Sequence, residues 1–490
     1  MCGLAAGTSW LRAHWKVSNN WTVTSQLDFS ALKIAILGGG PGGYEAAMVA
    51  ASLGAEVTII ENKGVGGSAV LTDVVPSKTL IATADTMVRV ANAHTTGVHF
   101  KDNAGAAYTD LAQVNERLLK LAAEQSEDIG RGLERSGVRI LTGTGRLLDN
   151  HRIEATTAEG TETVEADAIL VATGAHPREL PGAKPDGERI FNWTQVYNMT
   201  ELPEALIVVG SGVTGAEFAS AYNGLGSDVT LVSSRDQVLP GEDADAAEVL
   251  ESAFERRGMT VLARTRAETV ERTDDGVRVK LNDGRTIEGS HCLLAVGAIP
   301  NTADIGLEEA GVTLTESGHI KVDGVSRTTA PNVYAAGDCT GVFALASVAA
   351  MQGRIAMAHL LGDVVKPLKL KQVASNIFTS PEIASVGVTE EDISSGKYQG
   401  DIVKLPLRTN PRAKMMNVED GFIKVFCRRG SGTVIGGVVV GPRASELIYP
   451  IALAVAQKLH VDDVANTVTV YPSLSGSIAE AARRLHVHSS

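Results

Sequence analysis

Two glycine runs are where residue type and spacing most directly dictate chemistry. Gly38-Gly-Gly40-Pro-Gly-Gly43 and Gly210-Ser-Gly212-Val-Thr-Gly215 both read Gly-x-Gly-x-x-Gly. That spacing suits a dinucleotide pyrophosphate. The first glycine permits a tight turn, the second lets phosphate approach a helix N-terminus, and the third lets helix and strand pack closely. The pattern is specific only between a strand and a helix. The apolar run LKIAIL precedes the first and YEAAMVAASLG follows it; EVTII then ends at Glu61, 23 residues after Gly38. Glu61 can accept hydrogen bonds from ribose hydroxyls. ALIVVG, AEFASAYNGLG and DVTLV repeat the arrangement around the second run. Where a site selective for NAD places an acid, this unit has Ser233, Ser234 and Arg235, then Asp236. Serine does not repel a 2′-phosphate and Arg235 can pair with one, so NADPH is expected and NADH is left open. Two such units imply two nucleotides, with electrons passing between them.

The elements that must position these glycines follow from periodicity. Helices are expected over 77–95 and 109–136, and short strands over 138–173, ending in ILVATG. Pro177, Pro181 and Pro185 mark a boundary. LLAVGAIPNT (293–302) closes the second unit, and VYAAGD (333–338) ends in Asp338. From about 371 alternating strands (GFIKVF, VIGGVVV) and helices near 443–459 and 475–485 describe a third, α+β unit. A chain of 490 residues is too long for one core. Net charge −13 argues against an electrostatic nucleic-acid or anionic-membrane binder. No apolar run reaches the ~18 residues that suggest a span. The four cysteines, Cys2, Cys292, Cys339 and Cys427, form no CxxC pair, which suits a reducing cytoplasm and no metal. Trp10, Trp15 and Trp21 lie in a leader without a secretory apolar core, read as an unstructured extension.

In order, the first fingerprint, GG-x₇-VPSK, ATG, the second fingerprint with Glu217, AVG, AAGD and PEIASVG resemble the two-dinucleotide flavoprotein disulfide reductases, such as dihydrolipoamide dehydrogenase and glutathione reductase. The resemblance covers about 32–485. It implies two Rossmann-like α/β domains plus a C-terminal α+β dimerisation domain: FAD on 32–180 and 303–370, NAD(P) on 181–302, and a homodimer interface on 371–490, with 1–31 the leader. It assigns Gly38, Gly40, Gly43, Glu61, Gly66, Gly67, Gly143, Thr173, Gly174, Gly337, Asp338, Leu345 and Ala346 to FAD. Gly210, Gly212, Gly215, Ser233, Ser234, Arg235 and Gly297 fall to NAD(P). Lys78 and Glu217 match the family's Lys–Glu pair near flavin N5.

The departures are informative. Where the family has its two cysteines after GG, this chain has Ala69 and Val74. Neither forms a thiolate or a mixed disulfide. Where the partner subunit of the family presents His-Pro and a Glu, the chain reads Tyr471-Pro472-Ser473-Leu474-Ser475-Gly476. Tyrosine, with a pKa of ~10, is a poor base for thiols, though its hydroxyl can donate a hydrogen bond. Both halves of the dithiol machinery are missing together, against a lipoamide dehydrogenase. GGSAVL, VPSK and VYPSLSGSI resemble the cysteine-free NAD(P)H:quinone reductase branch. The expectation is a cytoplasmic FAD enzyme passing hydride from NAD(P)H through flavin to a quinone, with Tyr471 donating to a quinone oxygen. SSRD and LASVAAMQGRIA also resemble soluble pyridine nucleotide transhydrogenases, the alternative reading. A redox-responsive nucleotide-binding protein is a third.

Overall fold

The computed structural model describes residues 32–99 and 107–486; the leader expected over 1–31 lies outside the described residues. The apolar run from Ile34, buried behind exposed Lys33, forms β1 (Lys33–Leu37), followed by α1 (Pro41–Ser52) and β2 (Glu56–Glu61). α2 (Gly67–Leu71), α3 (Val74–Ala91) and α4 (Leu111–Arg135) come next. α3 starts three residues before the expected 77, because Pro76 falls in the first turn, where its missing N–H costs nothing. Asp110 caps α4 by accepting from the Gln113 amide. Strands β3 (Arg139–Leu147), β4 (Arg152–Thr157), β5 (Gly160–Glu165) and β6 (Ala168–Val171) complete the stretch before 173.

A two-stranded antiparallel link, β7 (Ala175–Pro177) with the later β16 (Ala298–Pro300), brackets the second unit. Between them run β8 (Ile190–Asn192), β9 (Ala205–Val209), α5 (Val213–Leu225), β10 (Asp228–Val232), α6 (Ala244–Arg256) and β11 (Thr260–Leu262). They are followed by β12 (Ala267–Arg272), β13 (Val277–Leu281), β14 (Thr286–Gly289) and β15 (His291–Leu294). The chain returns to the first sheet with β17 (Val333–Ala335), then α7 (Ala346–Leu360). The first sheet has the order β17-β6-β1-β2-β3-β4-β5, parallel as far as β3 and antiparallel beyond. The second is parallel, β11-β10-β9-β15-β8, with β12-β13-β14 as a separate antiparallel layer.

The last unit is an antiparallel sheet ordered β18-β19-β22-β21-β20. Its elements are β18 (Ala374–Ile377), β19 (Glu382–Gly387), α8 (Glu390–Ser394), β20 (Gly400–Pro406), α9 (Pro411–Met415), β21 (Phe422–Arg428) and β22 (Val434–Gly441). The helix expected over 443–459 is split into α10 (Ala444–Leu447) and α11 (Tyr449–Gln457) ahead of Pro450; α12 (Val461–Ala465) and α13 (Gly476–Arg484) follow.

The largest apolar cluster is shared by all three units, with Leu80 and Ile81 of α3, Phe218 and Tyr222 of α5, Phe254 of α6, and Phe422 and Phe426 of β21. An ionic clamp reinforces it. Lys424 of β21 is 1 % exposed and its Nζ lies 2.8 Å from Asp243, 2.7 Å from Asp245 and against Glu390. Burial lowers the ammonium pKa, but the three carboxylates outweigh it and hold Lys424 charged. Among the described residues no helix is long and apolar enough to cross a membrane.

Candidate active site

The two glycine fingerprints have the same geometry, and the cause is backbone crowding. Gly38 and Gly210 have φ of +103° and +111°, in the left-handed region. A Cβ on either would stand 2.3 or 2.2 Å from the carbonyl oxygen of Ala172 or Ala295, respectively. Those alanines belong to ATG and AVG, so each motif is the floor beneath its fingerprint. A Cβ on Gly43 or Gly215 would stand 1.9 or 1.8 Å from the carbonyl of Gly38 or Gly210. Backbone cannot yield there. Gly40 and Gly212 instead have open space, with nothing within 4 Å of an added Cβ. Each is the N-cap of its helix without a side-chain cap bond. Both helices thus offer free amides and positive dipole ends to an anion, the shape a pyrophosphate fills.

The first cradle is built from several directions. Glu61 Oε2 accepts from the Gly39 amide at 2.7 Å, and Oε1 accepts from the amides of Lys63 (2.7 Å) and Gly64 (3.3 Å). A carboxylate has about four acceptor positions, so Glu61 ties the loop and keeps room for a ribose hydroxyl. Gly66 donates to the Gly39 carbonyl at 2.7 Å, and a Cβ on Gly67 would lie 2.8 Å from Gly40 Cα. α7 crosses α1 where a Cβ on Gly353 would strike the Gly42 carbonyl at 2.1 Å. Leu345, N-cap of α7, makes no side-chain cap bond, so with Ala346 it opens another uncapped helix end. The Gly337 amide donates to buried Gln352 Oε1 at 2.9 Å, ordering the turn that carries Asp338. Burial raises the Asp338 pKa, with His319 opposing. Thr173 and Asn301 exchange hydrogen bonds at 2.7 and 2.8 Å, and Gly174 beside them has open space. Gly143 lies in β3, where a Cβ would meet the Thr156 carbonyl at 2.2 Å; its visible role is sheet packing. Two helix ends, a Cβ-free cradle and a buried acid at the end of β2 fit FAD.

The second cradle divides the three residues expected to meet the nucleotide. Ser233 is fully buried, its hydroxyl 2.7 Å from Ser211 and taking the Arg235 amide at 3.2 Å. It shapes the loop and does not face outward. Ser234 and Arg235 are exposed. Arg264, which the sequence reading passed over, is joined to Arg235 through a 2.9 Å backbone bond and is also exposed. Gly297 has φ +98° and open space.

The three units meet at Lys78. Its Nζ donates to Glu217 Oε2 at 2.6 Å, from α3 to α5. Glu217 Oε1 accepts the Phe378 amide at 2.8 Å, just past β18, and Lys78 lies 5.2 Å from the Phe378 ring centroid. Glu217 is 6 % exposed and Lys78 26 %, so the cation keeps one open side. Ala69 in α2 and Val74 at the start of α3 are both half-buried. Cys292, Cys339 and Cys427 are free and buried; burial raises all three thiols, that of Cys339 to about 11. Tyr471 is 82 % exposed. Phe378, Gln352 and Asp73 are absent from the sequence reading. Only Asp73 carried a signal, a lone acid inside VLTDVV.

Residues 32–353 match the pyridine nucleotide-disulphide oxidoreductase family, and residues 373–482 its dimerisation domain. A curated NAD(P)H dehydrogenase (quinone) of Mycobacterium tuberculosis is 54% identical over 468 residues, covering 93% of this chain and 94% of the relative. A dihydrolipoyl dehydrogenase of Chlorobaculum tepidum is 34% identical over 466 residues, covering 94% and 97%. The crystal structure of LpdA from Mycobacterium tuberculosis superposes with a TM-score of 0.89 at 53% identity, covering 93% of this chain and 100% of that one. The Escherichia coli flavoprotein disulfide reductase RclA, at 24% identity and a TM-score of 0.82, shares the fold.

Proposed function

The chain belongs to the pyridine nucleotide-disulphide oxidoreductase family, and from that premise we propose that it is an FAD-dependent NAD(P)H:quinone reductase working without a protein disulfide. The observation that carries this reading is the company Lys78 keeps. Its ion pair with Glu217 stands at 2.6 Å, while positions 69 and 74 hold Ala and Val. The Mycobacterium tuberculosis relative, named for quinone reduction, supports the acceptor class.

Held by the cradle of Gly38, Gly40, Gly43 and Glu61, FAD would supply the two-electron chemistry that links NAD(P)H to the acceptor. The chain's residues supply the setting. Lys78 places a fixed positive charge where negative charge develops, and Glu217, itself held by the Phe378 amide, keeps that charge aimed. Arg235 is the residue to meet an NADPH 2′-phosphate. Ala69 and Val74 leave an apolar wall suited to a flat aromatic quinone. Exposed Tyr449, Val468, Val470 and Tyr471 on the C-terminal unit support a homodimer in which Tyr471 of the partner subunit donates to a quinone oxygen. The same reading puts the enzyme in a reducing cytoplasm.

The test is anaerobic NADPH oxidation by purified holoenzyme, offered menadione, lipoamide and thio-NAD⁺ in parallel. Fast turnover with menadione alone supports the reading. Dominant thio-NAD⁺ reduction would replace it with transhydrogenation, and lipoamide turnover would defeat it.

A further inference from the structure

Two-electron reduction of a quinone needs a proton that hydride does not bring. NAD(P)H + H⁺ + quinone gives NAD(P)⁺ + hydroquinone: hydride supplies two electrons and one proton, and an acid must supply the second. Lys78 is held in its ion pair with Glu217, and Tyr471 stands exposed on the C-terminal unit.

Asp73 stands immediately before Val74, at the N-cap of α3. An aspartate there ordinarily accepts from the first-turn amides. This one does not, although its main-chain carbonyl takes the Ser77 amide at 2.8 Å. Among the described residues its carboxyl makes no hydrogen bond and no ion pair, and the residue is half-buried. The titratable groups that interact with it through charge come from four elements: Lys78 of its own helix, Glu217 of α5, Asp338 after β17, and Tyr197 of the 196–198 turn. The Tyr197 hydroxyl is buried and among the described residues has no hydrogen-bond partner.

We propose that Asp73 is the proton donor to the quinone oxygen, an inference that rests on the quinone-reductase reading. Its O–H bond breaks as the new O–H bond of the hydroquinone forms, and solvent returns the proton to Asp73 between turnovers. The surroundings suit the task. Burial raises the carboxyl most, Lys78 opposes, and Glu217 and Asp338 add to the rise, to about 6. An acid poised there is partly protonated near neutrality and gives its proton up readily.

The experiment compares wild-type, Asp73→Asn and Asp73→Glu holoenzymes with menadione and with ferricyanide, which takes electrons without protons. The pH dependence of the oxidised flavin absorbance is the readout independent of turnover. In wild type, kcat/KM for menadione should fall as pH rises through about 6, because the protonated donor is lost. Asp73→Asn should reduce menadione turnover ~10²-fold, abolish that limb and erase the absorbance inflection near the same pH. Ferricyanide turnover should be unchanged, and Asp73→Glu should restore part of the menadione rate. An Asp73→Asn variant that matches wild type on menadione, or loses ferricyanide activity equally, would overturn the proposal alone. A wild type active with ferricyanide but inert with quinones would overturn the quinone reading and this inference with it.

Discussion

Glu217→Gln perturbs the junction of the three units with the least change of shape. Glu217 meets two donors with two oxygens, Lys78 Nζ at 2.6 Å and the Phe378 amide at 2.8 Å. Glutamine has one acceptor oxygen, so one donor loses its partner and its NH₂ is turned towards the other. The bond to Lys78 is charge-assisted, worth about 1.5–3 kcal/mol net, against about 0.5–1.5 kcal/mol for an uncharged bond. Glu217 is almost fully buried, which preserves this difference, while the 26 % exposure of Lys78 trims it. The loss is therefore ~1–1.5 kcal/mol in holding the cation, or about tenfold in rate. Stopped-flow bleaching of the holoenzyme by NADPH, without an acceptor, should slow by that factor at unchanged FAD content. An unaltered rate would show that the pair does not position Lys78 for hydride transfer. A variant that purifies without flavin would show that it serves assembly instead.

The remaining predictions rest on equally local facts. Gly43→Ala should purify with little FAD, read from the flavin-to-protein absorbance ratio, because its Cβ would lie 1.9 Å from the Gly38 carbonyl. Gly215→Ala, with the matching 1.8 Å conflict at Gly210, should keep FAD and dithionite reduction but lose bleaching by NADPH. Lys424→Met leaves nearly buried Asp243 without its counter-ion and should cost about 3 kcal/mol in urea unfolding. Arg235→Ser should raise the NADPH KM ~10-fold and leave NADH unchanged, a modest effect because the guanidinium is exposed. Asp73 has a folded-state pKa raised above its unfolded value, so the folded state binds more protons between about 4 and 6 and stability falls as pH rises through that window. Asp73→Asn should therefore raise the thermal midpoint at pH 8 more than at pH 4, by differential scanning calorimetry.

What the sequence made legible was largely what missing side chains must do. A turn without Cβ atoms and a strand of continuous apolar residues are local demands, visible at Gly38–Gly43 and in LKIAIL. The sequence did not explain why ATG and AVG accompany the fingerprints. The reason is tertiary: the Ala172 and Ala295 carbonyls lie beneath Gly38 and Gly210. The pairing of Lys78 with Glu217 was an expectation from resemblance, and its geometry needed a fold that closes 139 residues of chain. Phe378 was illegible because it acts through its backbone amide. Gln352 was hidden because a buried glutamine in a helix looks like any other polar position. Ser233 shows how position alone leaves a side chain's direction open: it stands where an NAD-selective site has an acid, and its hydroxyl lies 2.7 Å from that of Ser211, turned inward. The helix expected at 77 begins at Val74, since a first-turn proline marks a helix start as readily as a boundary.

On the proposed reading, electrons leave this protein from flavin with no dithiol between. An anaerobic titration of the holoenzyme with dithionite, followed by absorbance and by thiol count before and after, tests it most directly. The expected endpoint is about two electrons per bound FAD and no new thiols, since only the flavin is reducible. Uptake of about four electrons per FAD, with two thiols appearing, would reveal a redox-active disulfide and overturn the direct flavin-to-quinone route.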